Sequence, residues 1–371
     1  MGLMRFIFAI SVVIAHVGPL YGFTLIGGKI AVQSFFILSG FYMSLILENK
    51  YHRPNGYMLF IRNRILRIYP AYFVVLILTF LFSLYWSSHD QINSFLPYQN
   101  DSIKLHPATM LYLIFQNVVI LTQDVGNFFS INQKGLLFFD PHASSTLPFV
   151  YLHSLIPQAW TLSIELVFYL LAPLFVRRKT VVIFLLLLLS ISVRVLIYSL
   201  GFHHEPWTNK FFPSEFAFFL AGILAFRMYQ KKLFFMIKKV EFIIFYFALV
   251  LLTLGYDMLP KIYGFINPMQ LLYFVFFFAI TPLIFGFLKN SKLDRFIGEL
   301  SYPIYISHIF IFLVVRNLNI TKNPNTNSLL SLVLTILFSI LLYIAVIKPI
   351  ERYRKTGIVV IKKPPEKSGG F

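Results

Sequence analysis

Ten apolar runs, each near the ~20 residues an α-helix needs to cross a hydrocarbon core, follow one another between residues 3 and 347. A bilayer offers no water to backbone N–H and C=O groups, so a spanning segment must satisfy them inside a helix or a closed barrel. Runs of this length lack the two-residue alternation of barrel strands. The reading is therefore an all-α, polytopic integral membrane protein of about ten transmembrane helices, at 3–21, 30–47, 69–87, 158–176, 180–200, 212–229, 240–256, 268–288, 299–315 and 329–347. Hydrophobic residues make up 58% of the chain and charged ones 12%, and no stretch reads as a separate soluble domain.

In a soluble chain a net charge of +18 would point to a nucleic-acid partner. Here the distribution of the charge points to topology. Arg5, then Lys50, Arg53, Arg62, Arg64 and Arg67, then Arg177, Arg178 and Lys179, then Arg227, Lys231, Lys232, Lys238 and Lys239, then Lys289, Lys292 and Arg295, and a tail from Lys348 fall on one side if the runs alternate. By the positive-inside rule that side is the cytoplasm, with both termini in it. The expected surroundings are the lipids of a bacterial inner (cytoplasmic) membrane, to which the abundance of Phe, Ile and Lys is suited, and no nucleic acid. A further apolar segment, 108–121, would reverse this order if it crossed. It is read as interfacial or re-entrant, within an outer stretch, 88–157, punctuated by Pro97, Pro107, Pro141 and Pro148. The chain divides into a transmembrane domain, 1–350, and a basic cytoplasmic tail, 351–371. The first run has no small-residue cleavage site after it and is expected to remain as a helix. With no cysteine, disulfides, thiolate metal sites and thiol nucleophiles are excluded. His203, His204 and Glu205 make a poor metal site, because three consecutive side chains rarely wrap one ion, and no metal is expected.

Polar residues inside lipid-spanning helices are costly, and clusters of them tend to line cavities. Arg5 and His16 stand eleven positions apart in an otherwise apolar stretch. At ~100° per residue they share one face, ~16 Å apart along the axis. In the second run, Gln33, Ser39, Gly40 and Ser44 admit a neighbouring backbone or a ligand. Gln158, Glu165 and Tyr169 share a face of the fourth run; Glu165 reads as functional, with a structural pair to Arg194 as its alternative. Ser301, Tyr305 and His308 make a polar stripe on the ninth, where His308 serves either chemistry or an interhelical hydrogen bond. Arg64 and Arg67 lie in the inner loop RNRILRIYP, just before Pro70, and either obey the positive-inside rule or hold a phosphate in a forked geometry. Counting ~1.5 Å per residue from each face puts His16 in the outer half, Glu165 ~10 Å in from the outside, and Ser39 and His308 near the middle.

Three classes of function are consistent with such a chain: a glycan flippase or polymerase, a transporter or sensor with His16, Glu165 and Arg194 as a proton relay, and an enzyme. The ordered motifs resemble those of membrane-bound acyltransferase family 3. They are Arg5 with His16, FFILSGF at 35–41, Arg64 and Arg67 before Pro70, WTLSIE at 160–165, and SYPIYISH at 301–308, and the resemblance spans about residues 5–347. It implies an acyl-CoA-dependent O-acyltransferase moving an acyl group, most often acetyl, from cytoplasmic acyl-CoA to a hydroxyl of an extracytoplasmic or lipid-linked glycan such as O-antigen, capsule or exopolysaccharide. Acyl-CoA is then a donor substrate, and no cofactor is permanently bound. Carried onto this chain, the resemblance implies Arg5, Arg64 and Arg67 as contacts to acyl-CoA. His16 is implied as general base or transient acyl carrier, with Glu165 and His308 as its catalytic companions. Ser39, Gln33, Trp160, Tyr169, Ser301 and Tyr305 are implied around the substrates.

Overall fold

The computed structural model describes residues 1–51, 56–89, 92–99, 104–233, 236–260 and 267–354; the expected tail from residue 355 onward lies outside them. The chain forms α1 (Gly2–Val17), α2 (Gly28–Lys50), α3 (Gly56–Ser87), α4 (Pro107–Val119), α5 (Gln123–Gly126), β1 (Phe129–Ile131), β2 (Leu137–Phe139), α6 (Trp160–Val176) and α7 (Thr180–Ser199). It continues with α8 (Phe212–Gln230), α9 (Lys239–Leu254), α10 (Pro268–Leu288), α11 (Lys292–Glu299), α12 (Ser301–Leu318) and α13 (Pro324–Leu342), the last running on through a π-helical turn. All ten expected runs are helical. Among the described residues, seven helices are long and apolar enough to cross a membrane. Of the other three expected spans, α1 and α9 have 16 residues each, while α8 carries Glu215 and Arg227.

Local chemistry sets several boundaries. Asn267 and Asn323 each accept backbone N–H groups of the turn that follows, and Pro268 and Pro324 occupy the first helical position, where a missing N–H costs nothing. One boundary differs from expectation. The segment RNRILRIYP is not a loop, because α3 begins at Gly56 and carries Arg62, Arg64 and Arg67 on its early turns. Hydropathy marks where lipid begins; arginine and leucine sustain a helix well beyond that point. The expected domain boundary at 350 falls inside the helix that continues α13 to Arg354.

The tightest crossing joins α2 and α8. A Cβ on Gly40 would meet the Phe219 carbonyl oxygen at 2.0 Å, and one on Gly222 would meet that of Ile37 at 2.0 Å. In lipid, small residues of this kind let backbones approach and gain van der Waals contact. The ring of Phe36 stacks on that of Phe219 beside the crossing, 4.6 Å between centroids.

The outer stretch is ordered around α4, whose 13 residues are too few to span a bilayer. Its buried face is largely polar, with Thr109, Gln116 and Asn117, and its exposed face carries Leu111, Ile114 and Phe115. The hydroxyls of Tyr69 and Tyr72 on α3 donate to the carbonyls of Val119 and Asn117. Ser163 on α6 donates to Asp124 at 2.6 Å. The stretch is thereby fixed to the bundle from two sides.

Candidate functional site

Two cavities enter the bundle from opposite ends, and α1 lines both. The first, about 460 Å³, opens at the arginine-rich end and includes Arg5, Ser39, Arg64, Arg67, Glu165, Tyr169 and Ser301 in its wall. The second, about 450 Å³, lies at the other end and includes His16, Lys29, Trp160, Glu205 and Lys210. Val32 and Tyr305 line both, so the two cavities adjoin at that point.

Asp294 on α11 positions the start of α1 by accepting the backbone N–H groups of Gly2 at 2.8 Å and Leu3 at 3.0 Å. A carboxylate there satisfies otherwise orphaned helix donors. Gly298 permits the approach, since a Cβ on it would come within 2.7 Å of the Gly2 Cα. Arg5 is thus held at the rim of the first cavity. Deeper in, Ser39 donates to Glu165 at 2.7 Å, and the Tyr169 hydroxyl donates to the same oxygen. Arg64 is buried, 4% exposed, with its guanidinium 5.6 Å from the centroid of Phe60 and 5.7 Å from that of Tyr169. It makes no ion pair among the described residues, and its Nε has no hydrogen-bond partner. Arg67 differs, reaching Glu299 at 3.5 Å.

In the second cavity, His16 Nδ1 lies 2.8 Å from the Val12 carbonyl. A carbonyl only accepts, so Nδ1 carries the hydrogen, and Nε2 bears the lone pair when the ring is neutral. His308 repeats the arrangement, with Nδ1 2.6 Å from the Tyr305 carbonyl. Its ring is fully buried, its Nε2 has no partner, and its centroid is 4.9 Å from that of His16. Tyr305 donates to the Gln158 carbonyl at 2.7 Å, which leaves the Thr161 hydroxyl to donate to Tyr305 across 2.5 Å. Lys210 bridges Asn127 at 3.0 Å and Glu205 at 2.8 Å, its ammonium 5.4 Å from the Trp160 ring centroid.

The expected residues therefore separate into two groups. His16 and His308 meet at one end; Glu165, Ser39, Tyr169 and Arg64 meet at the other. Trp160 and Gln158 line the second cavity, whereas Gln33 lines neither and donates to buried Glu215 at 3.1 Å. The alternative pairing of Glu165 with Arg194 is replaced by Arg194 to Glu215 at 2.5 Å. No hydrogen bond among the described residues links His16, Glu165 and Arg194 into a relay. His204 is hydrogen-bonded to His142 and Glu205 is paired with Lys210, so that triplet is divided between two partners.

Lys29, Lys210 and Glu215 were not singled out by the sequence. Each stands near the end of an apolar run, where a charge ordinarily means proximity to water, whereas long-range packing brings Lys210 to Asn127 of the outer stretch and Glu215 to Gln33 of α2 and Arg194 of α7.

Residues 1–344 match the family described as an acyltransferase domain, acyltransferase family 3. An uncharacterized protein of Aquifex aeolicus (strain VF5) is 25% identical over 209 residues, covering 54% of this chain and 89% of its own length. No solved structure matches.

Proposed function

This chain belongs to acyltransferase family 3 and is a membrane acyltransferase, and from that premise we propose that it transfers an acyl group, acetyl in the first instance, from cytoplasmic acyl-CoA to a hydroxyl of an extracytoplasmic glycan. The observation that carries this reading is the pair of cavities meeting at Val32 and Tyr305. Donor and acceptor of opposite sides need separate entrances and a common meeting point.

The first cavity suits a donor with phosphates at one end and a thioester at the other. A guanidinium buried without a carboxylate is costly, and an incoming phosphate relieves that cost while gaining charge-assisted hydrogen bonds. Arg64 is such a group, with Arg5 and Arg67 near the same cavity. The pantetheine arm follows α1 from Arg5 toward His16, and Ser39, Tyr169 and Ser301 border its path. Glu165 acts on the donor side, holding Ser39 and Tyr169 in place. At the meeting point the glycan hydroxyl gives its proton to His16 Nε2 as its oxygen bonds to the thioester carbonyl carbon. The carbon–sulfur bond then breaks, and the coenzyme A thiolate leaves and takes up a proton. Of the groups beside that point, the Tyr305 hydroxyl is already given to the Gln158 carbonyl and neutral His308 has only a lone pair on Nε2, so an oxyanion there calls for His308 in its protonated form, in which Nε2 donates.

The test is incorporation of labelled acetyl from acetyl-CoA into alkali-labile ester on envelope glycan, in membranes holding wild type or His16→Ala. Label with wild type alone is the expected result. Equal label with both proteins overturns the role of His16, and no label with either overturns the donor or the acceptor.

A further inference from the structure

We propose that the second cavity is an anion site, and that the glycan unit it accepts carries a carboxylate or phosphate held by Lys29. This rests on the reading of that cavity as the acceptor's. Its charged wall consists of Lys29, Lys210 and Glu205 beside His16. Glu205 is committed to Lys210 at 2.8 Å and to Asn209 at 2.6 Å. The other acid near Lys29 is Glu215, which is committed to Arg194 at 2.5 Å and to Gln33. Lys29 itself has no ion pair or hydrogen bond among the described residues, although it is half-buried. The cavity therefore presents one ammonium without a direct partner, half-buried, where a counter-charge is worth more than at an open surface.

The backbone reinforces this polarity. Lys29 is the second residue of α2, and Gly28 and Lys29 both line the cavity, so the positive end of a 23-residue helix faces the same space. The remaining wall suits a sugar: the rings of Trp160, Tyr151 and Phe129 offer apolar faces, and Asn209 and Ser144 offer hydrogen bonds. A neutral sugar would use the rings and leave Lys29 unanswered. A uronic acid, or a sugar joined to a phosphate of a lipid carrier, would use both.

The experiment titrates the purified full chain, in lipid nanodiscs, with two matched pairs of probes: an oligosaccharide ending in glucuronic acid against the same one ending in glucose, and glucosyl phosphate against methyl glucoside. At least one anionic probe is expected to bind about tenfold more tightly than its neutral twin. Lys29→Met abolishes that preference, Lys29→Arg retains it, and raising the salt concentration weakens it in wild type. The pair that shows the preference separates a carboxylate from a phosphate. Equal binding within both pairs, or a preference that survives in Lys29→Met, overturns the proposal. If Lys29→Met does not fold, the wild-type comparison with its salt dependence decides. Labelled acetyl transfer is followed on the same probes: preferential binding without transfer supports the anion site and counts against the acyl-transfer reading, so the two fail separately.

Discussion

Arg64 and Arg67 are one turn apart on α3, yet their electrostatic states differ. Arg67 shares its charge with Glu299, whereas Arg64 lies between two aromatic rings without a carboxylate. Arg64→Gln is therefore expected to weaken acyl-CoA binding by ~10–100-fold, the equivalent of the ~1.5–3 kcal/mol of a charged hydrogen bond. Arg67→Gln is expected to weaken it several-fold less, because the wild-type side chain already has a partner. Titration of the purified protein with a non-hydrolysable acyl-CoA analogue checks both, and equal effects would remove the distinction. His16→Ala belongs to the same scale: loss of a general base lowers the acyl-transfer rate by ~10²–10⁴-fold, measured at saturating donor with binding of the analogue retained. The eleven-residue spacing of Arg5 and His16 is legible in the sequence because helical geometry alone puts them on one face. Of the partners of Glu165, Tyr169 is legible as the i+4 neighbour on the same face, whereas Ser39 is 126 positions away and contact at that separation is decided by helix packing.

At the scale of elements, the α2–α8 crossing depends on two glycines whose positions leave no room for a methyl group. Gly222→Ala forces its Cβ against the Ile37 carbonyl and the Phe41 nitrogen, 2.0 and 2.7 Å away. Both are backbone atoms, so relief requires the helices to separate. The expected cost is ~1–3 kcal/mol, seen as a lower thermal midpoint in detergent. Gly286→Ala is the control: its Cβ would meet only a Tyr229 ring carbon at 3.8 Å, and the midpoint should hold. If both variants melt alike, the crossing is not the tight contact its geometry indicates. The small residues around Gly40 were visible in the sequence, but not whether they admit a ligand or a helix; Gly40 admits the backbone of α8, while Ser39 lines the first cavity. The start of α3 was less legible, since arginines end an apolar run without ending a helix. The short α4 has 13 residues, and the expectation that it is interfacial or re-entrant rests on the charge pattern that follows, which a crossing there would invert.

At the scale of the whole molecule, the second cavity exists because the outer stretch and the loop before α8 close over the bundle, and Lys210 is the joint. It ties Asn127 of the outer stretch to Glu205 of that loop, above the Trp160 ring. Burial by itself raises the pKa of the Glu205 carboxyl, but the Lys210 ammonium and the hydrogen bonds from Lys210 and Asn209 outweigh it and hold the group below its ordinary value. A carboxyl depressed on folding adds stability that is fully present above its unfolded pKa, ~4.3 for glutamate, and is lost as the pH falls through the lower folded value. The closure should therefore be unchanged from pH 7 to pH 5 and loosen in stronger acid. Hydrogen exchange over residues 205–210, with Trp207 fluorescence as a second probe, is expected to rise only below about pH 4.3. In Glu205→Gln the exchange should be higher at neutral pH and lose that acid dependence, because the amide keeps the shape of the joint without its charge. Exchange that rises instead between pH 5 and pH 7, or an acid response undiminished in Glu205→Gln, would assign the closure to other groups and leave the Lys210–Glu205 pair a bystander at the cavity mouth.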